Sequence, residues 1–396
     1  MSKVERWLLP DGVEEILPNE AQHVEHLRRQ LLDLFHSWGY DLVIPPMVEF
    51  TDSLLIGQGH DVDLLTCKIT DQMSGRSMGI RADITPQAAR MDAHSLKRDG
   101  VNRLCYAGHV MYNKPKQPLG TRTPIQVGVE LFGEPGLDAD IEVISLLLET
   151  LRSARLPALC IDLGHVGIYR ALAEAAGLTD EQEHNLFGLL QAKAMTEIKA
   201  WIADNLGDTA EASWFLALPQ LSGDAGTISR AQVAFAEAPA EVAAALDELQ
   251  AVAEIIGQRY PEAQLYFDLS ELRGYQYLTG MVFAAFAPGV GNAIARGGRY
   301  DHIGEVFGRA RSATGFAAEL VALQRLGQAR NQGATAIFAP LSDNDAEQWQ
   351  AIQALRAAGE RVVLGSASQP APADFQACDR QLVEQKGVFT TVSLAR

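Results

Sequence analysis

The stretch DLSELRGYQYLTGMVFAAFAPGVGNAIARGGRYDHIGEVFGRARSATGFAAELVAL, residues 268–323, decides how this chain is read. Residues 282–287 are an apolar run with aromatics, bounded by Gly280 and by Pro288-Gly289, which predicts a buried strand. Arg296-Gly297-Gly298-Arg299-Tyr300-Asp301 then joins two glycines to two guanidiniums, a phenol and a carboxylate. Glycine lets a backbone approach a ligand closely, and arginine offers forked donors to carboxylate or phosphate. Chemistry alone leaves two readings open here: a ligand-facing block, or a charged turn between strands.

The rest of the chain sets limits. Its 396 residues are enough for a sizeable core and two or three domains. A net charge of −17 is a poor balance for gripping a polyanion. Cys67, Cys105, Cys160 and Cys378 form no CxxC pair, so neither a zinc knuckle nor a disulfide framework is indicated, and free thiols suit a reducing cytosol. The N-terminus has no apolar core of signal-peptide length, and no run approaches the ~18–20 apolar residues of a membrane span. A cytoplasmic protein is expected.

Moving towards the N-terminus, residues 166–262 are Ala-rich and read as successive helices broken at Gly177, Gly207, residues 219–226 and Pro239. Five Lys/Arg stand against fifteen Asp/Glu there, so this segment carries −10 of the charge. Residues 160–164 are a short strand, and His165 after it is a capping or loop residue, since no second His or Cys sits at metal spacing. Residues 141–151 form a helix with Ile141, Ile144, Leu148 and Leu151 on one face. Strands near 104–112 and 125–132 flank a polar loop, and residues 61–80 suggest a hairpin turning at 71–76. Thr85 before Pro86 suits a helix N-cap. An amphipathic helix over 20–38 stops at Gly39, and residues 40–49 are extended, with Pro45-Pro46 forbidding helix. Residues 7–18 read as an extended arm with a turn. Beyond residue 330 only a fragment follows, with strands at 335–340 and 361–364 and a helix at 345–358.

Arg273-Gly274-Tyr275-Gln276-Tyr277-Leu278-Thr279-Gly280 and Arg296-Gly297-Gly298-Arg299-Tyr300-Asp301 resemble the R-G-x-x-Y-Y-T-G and A-G-G-R-Y-D segments of class II histidyl-tRNA synthetases. Both line a histidine pocket in that family. The resemblance covers nearly the whole chain. It implies an α+β fold: a class II synthetase-like antiparallel sheet core flanked by helices (1–165 and 263–330), a helical insertion (166–262), and a shortened anticodon-binding-like α/β segment (331–396). The helix and strand over 20–49 resemble the family's first motif, a dimer interface; a plain αβ unit is the alternative reading.

Arg81-Ala82-Asp83-Ile84-Thr85-Pro86 matches the family's R-P-E-G-T-A, so Asp83 and Thr85 fall where an acid and a threonine hold the α-amino group of histidine. A carboxylate and a hydroxyl at that spacing suit an ammonium, and the capping role coexists with this one. Aligned back from Glu130-Leu131-Phe132-Gly133, Gln126 and Glu130 match pocket residues; Arg273 and Tyr277 complete the histidine-binding set. The departures fall on the nucleotide side. The arginine that clamps the α-phosphate of ATP falls on Tyr112, and the usual R-x-E reads Tyr112-Asn113-Lys114. The following loop keeps Arg122 as its arginine. The G-L-E-R signature reads Glu319-Leu320-Val321-Ala322, so its phosphate-gripping arginine falls on Ala322.

Losing one charge-stabilising donor commonly costs ~10²–10³ in rate, and here two positions are changed. A site that keeps amino-acid recognition and loses nucleotide chemistry is a sensor. LPDGVEEILP, RADITPQAARMDAH and LCYAGHV resemble the ATP phosphoribosyltransferase regulatory subunits, a synthetase-paralogue family, more than they resemble synthetases. That resemblance implies a subunit without catalysis or cofactor. Its partner would be a short-form ATP phosphoribosyltransferase catalytic subunit in a hetero-oligomer, a hetero-octamer. L-histidine would be its effector, and it would self-dimerise through the N-terminal core, bind no tRNA and meet no membrane. The alternatives are an active histidyl-tRNA synthetase, disfavoured by the changed arginines, the acidic insertion and the short C-terminus, and a stand-alone amino-acid-binding paralogue.

Overall fold

The computed structural model describes residues 7–56, 60–116, 120–272, 274–275, 277–327, 336–369 and 378–394, with side chains withheld at 60–62. The chain divides into two units, one of Met1–Ile16 with Gln22–Gln328 and one of Leu17–Ala21 with Ala329–Arg396.

Helix α1 (Pro18–Ser37) buries Val24, Leu27, Leu31 and Phe35 at helical spacing, and Gly39, at φ +84°, follows its end. Strands β1 (Asp41–Leu42) and β2 (Val48–Phe50) and helices α2 (Thr51–Leu54) and α3 (His60–Leu65) follow. Next come β3 (Cys67–Thr70) and β4 (Ser77–Ile80). β3 and β4 pair antiparallel as expected, with the Asp71 carboxylate accepting from the turn amides of Met73 and Ser74. Leu64 and Leu65, read from sequence as part of that hairpin, end α3 instead. Helix α4 (Thr85–Arg90) precedes β5 (Asn102–His109) and β6 (Ile125–Phe132), the predicted antiparallel pair. Helix α5 (Leu137–Ser153) is buried nearly all round. β7 (Cys160–His165) ends at His165, which does cap the next helix: its Nδ1 accepts from Gly167 N–H at 3.1 Å.

The acidic segment forms α6 (Val166–Ala175), α7 (Asp180–Gln191), α8 (Met195–Asn205), α9 (Ala210–Ala217), α10 (Gly226–Ala234) and α11 (Ala240–Arg259). It also supplies a two-residue strand, β8 (Ser222–Gly223), which the sequence reading missed. Then come β9 (Gln264–Asp268), β10 (Met281–Phe286), β11 (Ala295–Arg299), β12 (Ala313–Glu319) and α12 (Leu320–Leu326). Residues 295–299 are thus a strand inside the sheet, which removes the charged-turn alternative. The C-terminal unit holds β13 (Ala336–Ala339), α13 (Asp345–Ala357), β14 (Val362–Leu364), β15 (Cys378–Gln385) and β16 (Val388–Ser393).

The main sheet has nine strands in the order β1-β5-β6-β12-β11-β10-β7-β9-β8. All neighbours are antiparallel except β1 with β5 and β7 with β9. Side chains alternate across each strand, and that alternation makes the site. On one face Val127, Val129 and Leu131 of β6, Phe283 of β10 and Phe316 of β12 join α1 and α5 in one apolar core, with the Phe35 and Phe316 rings edge-on at 6.2 Å. On the other face β6 presents Gln126, Gly128 and Glu130. Their cross-strand partners are Glu319, Ala317 and Gly315 on β12 and Gly108, Tyr106 and Leu104 on β5. Gly108, Gly128 and Gly315 along the centre of this face leave the room that the Arg81, Tyr106 and Glu130 side chains fill.

The C-terminal sheet runs β14-β13-β15-β16 around Ile337, Ala339, Ile352, Val362 and Leu382. Its β15–β16 hairpin supplements the two strands read from sequence.

Candidate functional site

Glu130, at the centre of the glycine-lined face of the main sheet and 1% exposed, anchors the candidate site, called the cleft. Its carboxyl accepts from Tyr106 Oη at 2.9 Å and from the Tyr300 hydroxyl on the other oxygen. Two glycines make room for this cluster. A Cβ on Gly315 would stand 1.9 Å from Glu130 Oε2, and one on Gly128 would stand 2.7 Å from the Tyr106 hydroxyl. Burial pushes the Glu130 carboxyl up to about 8; the hydroxyls of Tyr300, Thr85 and Tyr106 pull it down, and the Asp83 charge adds to the rise. Burial and the Glu130 charge raise both phenols well above the usual tyrosine range.

Asp83 stands half-buried at the N-terminal end of α4. Its Oδ1 accepts from Gln126 Nε2 at 2.8 Å and from Thr85 N–H at 3.2 Å. Gln126 Oε1 in turn accepts from Ile84 N–H at 2.9 Å, which fixes the orientation of the amide. Thr85 is the first residue of α4, not its cap; its hydroxyl meets Tyr106 Oη at 3.2 Å. The capping expectation is corrected: Thr85 Oγ1 has turned to the phenol, and Asp83 serves the helix amide. So Asp83, Thr85, Gln126 and Glu130 form one hydrogen-bonded chain through Tyr106. Tyr277 is 48% exposed. Burial, with the charges of Asp83 and Glu130, pushes the phenol up to about 12. Arg273 lies outside the described residues.

Tyr112 and Ala322, where the resemblance expects arginine, lie after β5 and in α12. Tyr112 bridges to Thr66 after β5, with the Lys116 ammonium 4.2 Å from its ring centroid. Burial and the charges of Asp83 and Glu319 raise the Tyr112 hydroxyl strongly. Arg122 donates to the carbonyls of Tyr112 at 3.0 Å and Asp11 at 3.3 Å, a structural use of that guanidinium. Ala322 is in the first turn of α12, just after Glu319. The cleft therefore combines two carboxyls, an amide and several hydroxyls, a set suited to a cationic ligand with several donors. Among the described residues no group of three His, Cys, Asp or Glu is placed to hold a metal.

Sequence reasoning passed over Tyr106 and gave Tyr300 no separate role. Tyr106 was visible as a polar tip at alternate spacing in a strand facing Glu130, but only the register places the two hydroxyls on one carboxyl.

A family model for histidyl-tRNA synthetase matches residues 12–323. A model for the ATP phosphoribosyltransferase subunit HisZ C-terminal domain matches residues 334–392. The ATP phosphoribosyltransferase regulatory subunit of Teredinibacter turnerae is 63% identical, covering 100% of both chains. The chain belongs to the ATP phosphoribosyltransferase regulatory subunit family. The regulatory subunit of Cellvibrio japonicus is 60% identical, covering 100% of this chain and 98% of its own. A solved ATP phosphoribosyltransferase regulatory subunit/histidyl-tRNA synthetase from Bacillus halodurans C superposes with a TM-score of 0.84 at 26% identity, covering 96% of this chain and 99% of that one. The histidyl-tRNA synthetase of Nostoc sp. PCC 7120 superposes at 0.78 with 16% identity, covering 98% and 97%, a likeness of fold alone. The class II synthetase-like α+β fold expected for a regulatory subunit of this family is the fold observed, and no helix among the described residues is long and apolar enough to cross a membrane.

Proposed function

We propose that this chain is a non-catalytic subunit that binds free L-histidine in the cleft over β6. There it would regulate a short-form ATP phosphoribosyltransferase catalytic subunit at the first step of histidine biosynthesis. One observation carries the reading: Asp83, Gln126, Thr85, Tyr106 and Glu130 form one hydrogen-bonded set, while tyrosine and alanine stand at positions 112 and 322, where the family resemblance expects phosphate-binding arginines. Asp83, Thr85 and Gln126 would take the ammonium, Glu130 the imidazole, Arg273 the carboxylate, and Tyr277 would cover the ligand. Exposed Leu42, Ile44 and Met47 support self-dimerisation through the N-terminal core, Ile44 being 85% exposed. A hetero-octamer with the catalytic subunit, a cytoplasmic location, the absence of tRNA binding and the division of the chain at 165, 262 and 330 belong to the same proposal.

Calorimetry with L-histidine on wild type and Glu130→Ala tests the ligand. Removing one partner so that a buried polar group is left unsatisfied costs ~1–3 kcal/mol, about fivefold or more in affinity. Unchanged binding in the variant moves the site elsewhere. The loss of catalysis is tested separately: the purified chain should show no histidine-dependent exchange of pyrophosphate into ATP. Turnover within about tenfold of an ordinary synthetase, less than the loss expected from even one missing donor, would refute it.

A further inference from the structure

The segment carrying Tyr277 is held from behind by the acidic insertion. Three residues on one face of α6, at i, i+3 and i+4, make the hold. Val166 N–H donates to Gly280 O at 3.0 Å. The Tyr169 ring meets the Tyr275 ring edge-on at 5.2 Å. Arg170 Nη2 donates to Leu278 O at 3.1 Å and Tyr275 O at 3.3 Å, and its guanidinium lies 5.0 Å from the Tyr275 ring centroid. Helix α7 adds Glu183, which accepts from the Tyr275 hydroxyl.

The held segment closes on Gly274. Gly274, at φ +82°, accepts from both Tyr277 N–H and Leu278 N–H at 2.9 Å. A Cβ there would stand 3.0 Å from the Tyr277 hydroxyl and 2.8 Å from Leu278. Tyr275 and Tyr277 therefore sit on one tight turn, one tyrosine against the insertion and the other beside the cleft. Helix α6 is itself anchored: His165 caps it and pairs through Nε2 with Glu248 of α11 at 3.1 Å.

We propose that Arg170, Tyr275 and Glu183 are positioning residues for the cleft: helices α6 and α7 set where Tyr277 stands, and a ligand that moves Tyr277 moves α7. The second half rests on the proposed histidine reading; the first does not.

Peptide-resolved hydrogen exchange on the full chain separates the two. Without ligand, Arg170→Ala should speed exchange of Tyr277 and Leu278 about tenfold or more, the loss expected of a charged hydrogen bond. Arg170→Lys, which keeps a cationic donor, should restore part of the protection, and Tyr275→Phe should loosen the turn by less than Arg170→Ala. Exchange in α11 should stay at the wild-type rate. Exchange at Tyr277 and Leu278 within about twofold of wild type in Arg170→Ala, below any charged hydrogen bond's worth, would overturn the positioning role; so would equal acceleration through α11. With L-histidine on wild type, α7 should slow about fivefold or more, the low end of a coupling between sites. Calorimetric binding with unchanged α7 exchange would overturn the link to α7. Absence of calorimetric binding would instead refute the histidine reading, and the ligand-free comparison would still decide the positioning role.

Discussion

Glu130 holds its proton to about pH 8 in the folded chain, against about 4.5 for a free glutamate. Between those values the folded state binds the extra proton, so raising the pH favours unfolding. The contribution is fully present below about 4.5 and lost as the pH rises through about 8. Asp162 of β7, pushed up to about 7 by burial and by the charges of Asp268 and Glu271, acts in the same direction over a lower window. Urea unfolding of Glu130→Gln across pH 5–8 should therefore show a shallower fall in stability than wild type, with the residual slope ending near pH 7. An unchanged slope would mean that Glu130 is ionised in the folded protein. The groups facing this carboxyl are Tyr106 of β5, Tyr300 beyond β11, and Thr85 with Asp83 at α4. Asp83 and Thr85 were grouped with Glu130 from sequence because they lie in a contiguous motif. The two tyrosines were not, because their role depends on which face of the sheet each strand turns to the cleft.

Elements were easier to read than the ties between them. The helix of α1 follows from apolar spacing and a glycine stop, and the buried strand β10 from a bounded apolar run. The β15–β16 hairpin did not follow: CDRQLVEQ interrupts its apolar residues with charges, as suits a strand of intermediate exposure. Nor did the tie between α5 and β11. Arg299 donates through Nε and Nη2 to Asp140 Oδ2 at 2.9 and 2.7 Å, across 159 residues of sequence. Arg299 continues through Nη1 to Asp301 at 3.3 Å, and Asp301 accepts from Thr279 at 2.8 Å. This network fixes β11 and the end of the Tyr277 segment to α5. The Asp140 and Arg299 side chains are 1% and 9% exposed. Breaking a buried pair by removing one partner costs ~3–5 kcal/mol, because a charge is left without its counter-ion. Asp140→Ala should lose about that much in urea unfolding at neutral pH, with an unchanged denaturant slope. A loss below about 1 kcal/mol, the range of exposed pairs, would mean that Asp301 and the neighbouring carbonyls already satisfy Arg299.

At the scale of the whole molecule, the chain keeps a synthetase-like sheet, yet carries a net charge of −17, and the described residues of its C-terminal unit form four strands and one helix after residue 330. The fold was legible because its motifs keep their spacing in the sequence. The contact surface with a partner was not, because no spacing pattern marks which exposed side chains meet another chain. On the proposed reading, histidine binds two states of a complex with different affinity, and a coupling of ~1–3 kcal/mol gives ~5–150-fold inhibition. The most direct measurement is phosphoribosyl-ATP formation by the short catalytic subunit, alone and with this chain, across a histidine titration. The chain should raise the rate and confer inhibition by histidine, and Glu130→Ala should still activate while needing more histidine to inhibit. A rate and a histidine response unchanged by the wild-type chain would contradict the account.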